Sequence, residues 1–357
     1  MNFTLFGYPK TGKTTLFNLL TGAKIEVKAY GEGKKEPVLR TCPIPDPRLE
    51  KISALYPEKM KIPATIDFTD LAGISFGEVK SSAYLSSLRN ADGLTHVVRG
   101  FSDIQISHPK GKINPEDDIR SMEEELILAD LVLVETRLEK LEKELAREKS
   151  PEGQKEKELL ENLRSSLEGG TGIREVALSP QEEKLLRSFE FLSQKPLLHM
   201  VNVDEKDIPL VENPSKIHSS QHEKVKLLAF CGKIEAEIME LEDEERDTFL
   251  AEYGLKELSI SKFLKASYDL LKALTFFTIG KEEVKAWTIR ENTPASQAAG
   301  AIHSDIEKGF IKAEVIPWEG LLDHGSFQDA KEKGALRLEG RDYIVQDGDV
   351  IYFRFAT

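Results

Sequence analysis

Gly7-Tyr8-Pro9-Lys10-Thr11-Gly12-Lys13-Thr14-Thr15, close to the start of the chain, decides the fold. It fits G-x-x-x-x-G-K-[ST], a loop whose backbone N–H groups wrap a phosphate chain. Residues 2–6, Asn-Phe-Thr-Leu-Phe, read as a short apolar strand before it. Residues 16–20, Leu-Phe-Asn-Leu-Leu, read as a buried helix after it, ended by Thr21-Gly22. A strand, a glycine turn and a helix start aim amide donors and the positive end of a helix dipole at one anion. Lys13 is placed to reach β- and γ-phosphates, and the Thr14 hydroxyl to bind Mg²⁺. The pattern predicts a nucleoside-triphosphate site.

The remaining chain is consistent with an α/β host for that loop. Its 357 residues suffice for two or three domains with a large core. A formal net charge of −13 argues against indiscriminate binding to nucleic acid or anionic lipid, and no DNA specificity is legible. Cys42 and Cys231 lie far apart and lack metal-like spacing, which suits a reducing compartment. No apolar run is long enough to span a bilayer, and no leader is apparent, so a cytoplasmic protein is expected.

Strands are expected over 64–69, 95–99, 196–201 and 225–230, with helices over 49–52, 81–90 and 234–241. Residues 117–149 contain neither Gly nor Pro, and Val134, Leu138, Leu141 and Leu145 form a coiled-coil-like seam. A turn is expected at 150–153, then a second stripe through Leu163 and Leu167, giving an antiparallel helical hairpin inserted into the α/β domain. Ser179-Pro180 opens a shorter helix. Residues 258–277 read as mostly helical. Beyond Val284, short strands and one helix read as a small α+β module, with Trp287, Tyr352, Phe353 and Phe355 in its core.

Two further segments bear on the ligand. Asp70-Leu71-Ala72-Gly73 ends a strand, where a carboxylate holds Mg²⁺ through water and the Gly73 N–H meets a γ-phosphate. Asn202-Val203-Asp204-Glu205 follows another strand. GTPases commonly carry Asn-Lys-x-Asp here, the Asp accepting two hydrogen bonds from guanine. Glu205 is one methylene too long for that position, so guanine recognition is expected to be impaired and adenine tolerated. Cys231-Gly232-Lys233 marks the loop that closes over the base. The expected nucleotide contacts are thus Lys10, Thr11, Gly12, Lys13, Thr14, Thr15, Asn202, Val203, Glu205, Cys231, Gly232 and Lys233.

These segments, with Pro45-Asp46-Pro47-Arg48-Leu49, His96-Val97-Val98-Arg99 and Gln297-Ala298-Ala299-Gly300-Ala301-Ile302-His303, resemble the YchF family of Obg-like ATPases, in the translation-factor GTPase class. The resemblance covers the whole chain. It implies a doubly wound P-loop GTPase-like domain over 1–115 and 196–280. It also implies an inserted helical domain over 116–195 and a ubiquitin-like TGS domain over 281–357. It further implies ATP preferred over GTP, slow Mg²⁺-dependent hydrolysis, and a ribosome or RNA partner.

Three features depart from the family pattern. Lys10 stands where the family has Asn, which in related GTPases helps hold potassium; its ammonium could supply that cation itself, giving Lys10 a catalytic role beside Lys13 and Gly73. Lys34 falls where a Thr would bind Mg²⁺. The segment after Gly73 is shorter and poorer in glycine than the family's mobile loop. Ile74, apolar as in the family, stands where Ras-like enzymes carry a water-orienting Gln, so no general base is visible. A nucleotide-sensing RNA- or ribosome-binding protein with little hydrolysis, or a GTP-preferring GTPase, therefore remain alternatives. The basic stretch with Lys24, Lys28, Lys34, Lys35 and Arg40 is a candidate phosphate-backbone contact. His96 and His199 read as core residues, and His303 as support for the small module.

Overall fold

The computed structural model describes residues 1–22, 37–73, 82–148, 150–219 and 222–356. Lys34, Ile74 and the lysines of 24–35 lie outside them. Contacts divide the chain into two compact units: Met1–Arg40 with Asp67–Leu270, and Thr41–Ile66 with Leu271–Thr357. The excursion 41–66, expected in the phosphate-loop domain, groups with the C-terminal unit instead.

The first sheet has strands β1 (Asn2–Phe6), β2 (Val38–Pro43), β4 (Thr65–Asp70), β5 (Gly93–Gly100), β6 (Leu197–Val203) and β7 (Val225–Phe230), in the order β2-β4-β1-β5-β6-β7. From β4 to β7 neighbouring strands run parallel. Phe3 to Phe6 and Leu197 to Val203 are buried throughout. Strands covered on both faces need continuous apolar runs, so these segments were legible as strands. Helices α1 (Lys13–Thr21), α3 (Ser82–Arg89), α8 (Gly232–Met239), α9 (Asp243–Glu252) and α10 (Ser259–Leu270) accompany this sheet, with the single turn α7 (Pro209–Glu212).

Between β5 and β6, α4 (Pro115–Arg147) and α5 (Pro151–Glu168) form the hairpin. Asn114 caps α4, with Pro115 at its first turn and Glu116, Asp117 and Asp118 facing the positive end of the dipole. The expected turn at 150–153 is shorter: Ser150 caps α5 and Pro151 already lies in its first turn. Val134, Leu138 and Leu141 pack with Leu160, Leu163 and Leu167. Asp130, fully buried at the base, accepts the Leu192 and Ser193 N–H groups at 3.0 and 2.7 Å. α6 (Pro180–Leu186) starts at Ser179 with a complete capping box.

The second unit has a mixed sheet, β11 (Arg337–Glu339), β10 (Phe310–Pro317), β12 (Asp349–Phe355), β8 (Ala273–Ile279), β9 (Glu283–Arg290) and β3 (Met60–Ile62), in that order. Residues 273–277, expected to be helical, form most of β8. Four helices stand where one was expected: α11 (Ala295–Ile302), α12 (Ser304–Lys308), α13 (Trp318–His324) and α14 (Phe327–Glu332). One core joins α11 to Phe276, Val315, Ile351 and Phe353. The other includes Leu49 and Ile52 of α2 (Pro47–Ala54), Phe277, Val284 and Val350. Tyr352 and Phe355 are exposed, unlike buried Phe353 and part-buried Trp287. Asp46 caps α2 and, with Asp347, brackets the Arg48 guanidinium. His303 caps α12, accepting the Asp305 N–H.

Candidate nucleotide-binding site

β1, β4, β6 and β7 all end on one edge of the parallel sheet, the edge where ligands of open α/β folds bind. Gly7 leaves β1 at φ 138°, and a Cβ there would stand 2.6 Å from the Val97 carbonyl oxygen. Gly12, at φ 98°, would place a Cβ 2.3 Å from Asn202 Nδ2. Both positions therefore exclude a side chain. α1 begins at Lys13 with no acidic residue in its first turn, so the amides of Lys13, Thr14 and Thr15 keep their positive field. Thr11 is buried, its hydroxyl donating to the Tyr8 carbonyl at 3.2 Å.

Lys13 is buried, and its Nζ donates to the Gly7 and Tyr8 carbonyls at 3.1 and 2.6 Å. Burial lowers its pKa to about 8, against the opposing pull of Asp70. The Thr14 hydroxyl donates to Asp70 Oδ2 at 3.0 Å. One hydroxyl and one carboxylate, both hard oxygen donors, fit Mg²⁺, which keeps most of its shell for water and phosphate oxygens. A Cβ on Gly73 would lie 2.6 Å from Pro9 Cα and 3.1 Å from Lys13 Nζ, so the Asp70–Gly73 turn closes directly on the loop.

Asn202 ties three segments together. Its Nδ2 donates to the Thr11 carbonyl at 3.2 Å, and its Oδ1 accepts the Gly232 N–H at 3.0 Å. Glu205, just after β6, and Lys233, in the first turn of α8, form an ion pair. Val203 is different. It is the last residue of β6 and is buried with Val98, Ile119 and Val201. Cys231 is also buried; its N–H donates to Glu235 Oε1 at the start of α8. Lys10 is exposed at φ 62°.

Sequence reasoning missed the wall beside the loop. The Arg99 guanidinium is buried and donates to the carbonyls of Phe101, Asp103 and Ile106 at 3.1, 3.3 and 3.0 Å. That fixes the segment carrying His108 and Lys110, which pack on the Tyr8 ring at 6.2 and 6.0 Å. His108 also meets buried Asp118 at 2.8 Å. The available signal was Arg99 itself, since a charged residue in an apolar strand needs partners wherever it is buried.

Residues 2–140 match the family model of the 50S ribosome-binding GTPases (MMR_HSR1), and residues 273–356 that of YchF-GTPase_C, described as a protein of unknown function (DUF933). The chain is 42% identical to the ribosome-binding ATPase YchF of Bacillus subtilis, over 98% of each chain. The chain belongs to the YchF family. Obg-like ATPase 1 of rice is 33% identical over 98% of this chain and 91% of its own. The solved structure of the Schizosaccharomyces pombe YchF GTPase, 27% identical, superposes with a TM-score of 0.84 over 99% of this chain and 97% of that one. The α/β P-loop fold is therefore that of YchF proteins.

Proposed function

We propose that this YchF-family chain is a Mg²⁺-dependent P-loop nucleotide hydrolase that prefers ATP to GTP and acts as a nucleotide-switched, cytoplasmic factor on the ribosome. The observation that carries it is the Thr14–Asp70 contact, set directly beneath the Lys13 end of α1. Lys13 and the amides of residues 12–15 would bind the β- and γ-phosphates; Thr14 and Asp70 would hold Mg²⁺. The metal, when bound, neutralises charge on the phosphate oxygens. Gly73 leaves room for its N–H to approach the γ-phosphate. Glu205 in place of Asp supports adenine over guanine.

The ribosome as partner rests on relatives whose names say they are ribosome-binding ATPases. In this reading the hairpin is a coiled-coil arm and the C-terminal module a TGS domain, and together they pass the nucleotide state to that partner. Lys10 is proposed to stand in for potassium. Comparable phosphate release in sodium and potassium buffers supports that role, and a strong potassium requirement removes it.

The experiment is phosphate release from ATP and from GTP by the native chain and Thr14→Ala, with co-sedimentation of the native chain with ribosomes. ATP turnover that Thr14→Ala abolishes is the expected result. Binding of ATP with no phosphate released over hours would leave the non-hydrolysing alternative in its place.

A further inference from the structure

Glu205 sits in the turn after β6 and Lys233 in the first turn of α8, yet their partners fix both. The Glu205 N–H donates to Asp204 Oδ1 at 2.9 Å, and Asp204 Oδ2 accepts the Ser102 N–H at 3.3 Å. Lys233 directly follows Gly232, whose N–H is held by Asn202. Backbone anchors on both sides thus bring the carboxylate and the ammonium together, and Nζ engages Oε1. Reading guanine would require a carboxylate at this place to offer two oxygens to two N–H groups. Adenine makes no such demand.

We infer that Lys233 is a specificity-determining residue, holding the Glu205 carboxylate in an ion pair so that guanine must break the pair to be read. The inference rests on the nucleotide reading above and deepens it. Because both side chains are largely exposed, water screens the pair, and its effect on selection is bounded. Breaking an exposed pair changes an equilibrium by about two- to fivefold.

The test is the ratio of GTP to ATP dissociation constants, from displacement of a fluorescent ATP analogue, for the native chain, Lys233→Ala, Lys233→Arg and Glu205→Gln. Lys233→Ala is expected to lower the ratio about two- to fivefold. Lys233→Arg, which can keep the pair, should hold the native ratio. In the Glu205→Gln background, Lys233→Ala should change nothing further. A ratio unmoved by Lys233→Ala, or raised by it, overturns the inference while native binding of ATP leaves the nucleotide site standing. A native chain that binds neither nucleotide overturns the site reading, and the inference with it.

Discussion

His96 Nδ1 lies 3.2 Å from His199 Nδ1, and one proton serves both atoms. The far end sets its direction. Glu123 Oε1 stands 2.8 Å from His199 Nε2 and can only accept, so that nitrogen carries hydrogen. In a neutral His199 ring Nδ1 is then the acceptor and His96 donates to it. Burial holds both imidazoles below their ordinary range; His199, Lys13 and Lys110 press further on His96. Glu123 pulls His199 upward, while Arg174 and His218 press it down.

Neutral rings in the folded state bind fewer protons than the unfolded chain once pH falls below about 6.5. Stability is therefore fully present above that value and declines as pH falls toward the folded pKa values, at up to about 1.4 kcal/mol per pH unit per ring. Thermal unfolding at pH 7.5, 6.5 and 5.5 should show a falling midpoint. His199→Leu should flatten that dependence while lowering the midpoint at pH 7.5, since Glu123 and His96 lose a partner.

Lys13 gives a second pH signature. Its free-site pKa of about 8 must rise when phosphates bind, so affinity is complete below pH 8 and falls as pH climbs through it. Titrating ATP affinity from pH 7 to 9.5 measures this. Lys13→Met should abolish the effect together with most of the binding.

Gly12→Ala forces a Cβ onto Asn202 Nδ2 and strains a backbone at φ 98°. A cost of about 1–3 kcal/mol at the loop is expected. ATP affinity should fall by tenfold or more, read by calorimetry, with near-native far-UV circular dichroism.

Thr14→Ala and removal of Mg²⁺ with EDTA should weaken ATP binding to a similar degree, about ten- to a hundredfold for a lost charged contact. EDTA should then have little further effect on Thr14→Ala. A large residual Mg²⁺ response in that variant would assign the metal to other residues.

Asp130→Ala would leave the buried N–H groups of Leu192 and Ser193 without their acceptor. A loss of about 2–4 kcal/mol follows, visible as a lower urea midpoint. ATP affinity measured without denaturant should change much less.

The phosphate loop, the parallel strands and the hairpin were legible because each carries a strong local signal: glycines, apolar runs and a heptad seam. β8 was not. Leu270, Leu271 and Leu274 continue a helical spacing, and the break falls at Lys272, which adopts φ 49° without the glycine that would mark it. Val38–Pro43 was missed because most of its residues face solvent and show no apolar pattern. In the site, Asn202 and Val203 adjoin in sequence but point opposite ways. β6 extends through Val203, and strand alternation sends that side chain into the core. Tyr8 and His108 meet only through the fold, and no spacing rule announces a contact across 100 residues.

The second sheet draws on both ends of the chain. Lys59 meets the Gly280 carbonyl across 221 residues, and Arg48 meets Asp347 across 299. As the polypeptide leaves the machinery that makes it, at roughly 5–20 residues per second, the 41–66 excursion emerges early. It then waits on the order of 10–60 s for the strands and helices that complete it. For that interval Met60–Ile62 has no β9 beside it, and the apolar face of Leu49 and Ile52 has no lid. A message cut short before codon 283 would thus release a chain whose N-terminal segment is permanently without its mate, and such a product is a ready substrate for chaperones and proteases.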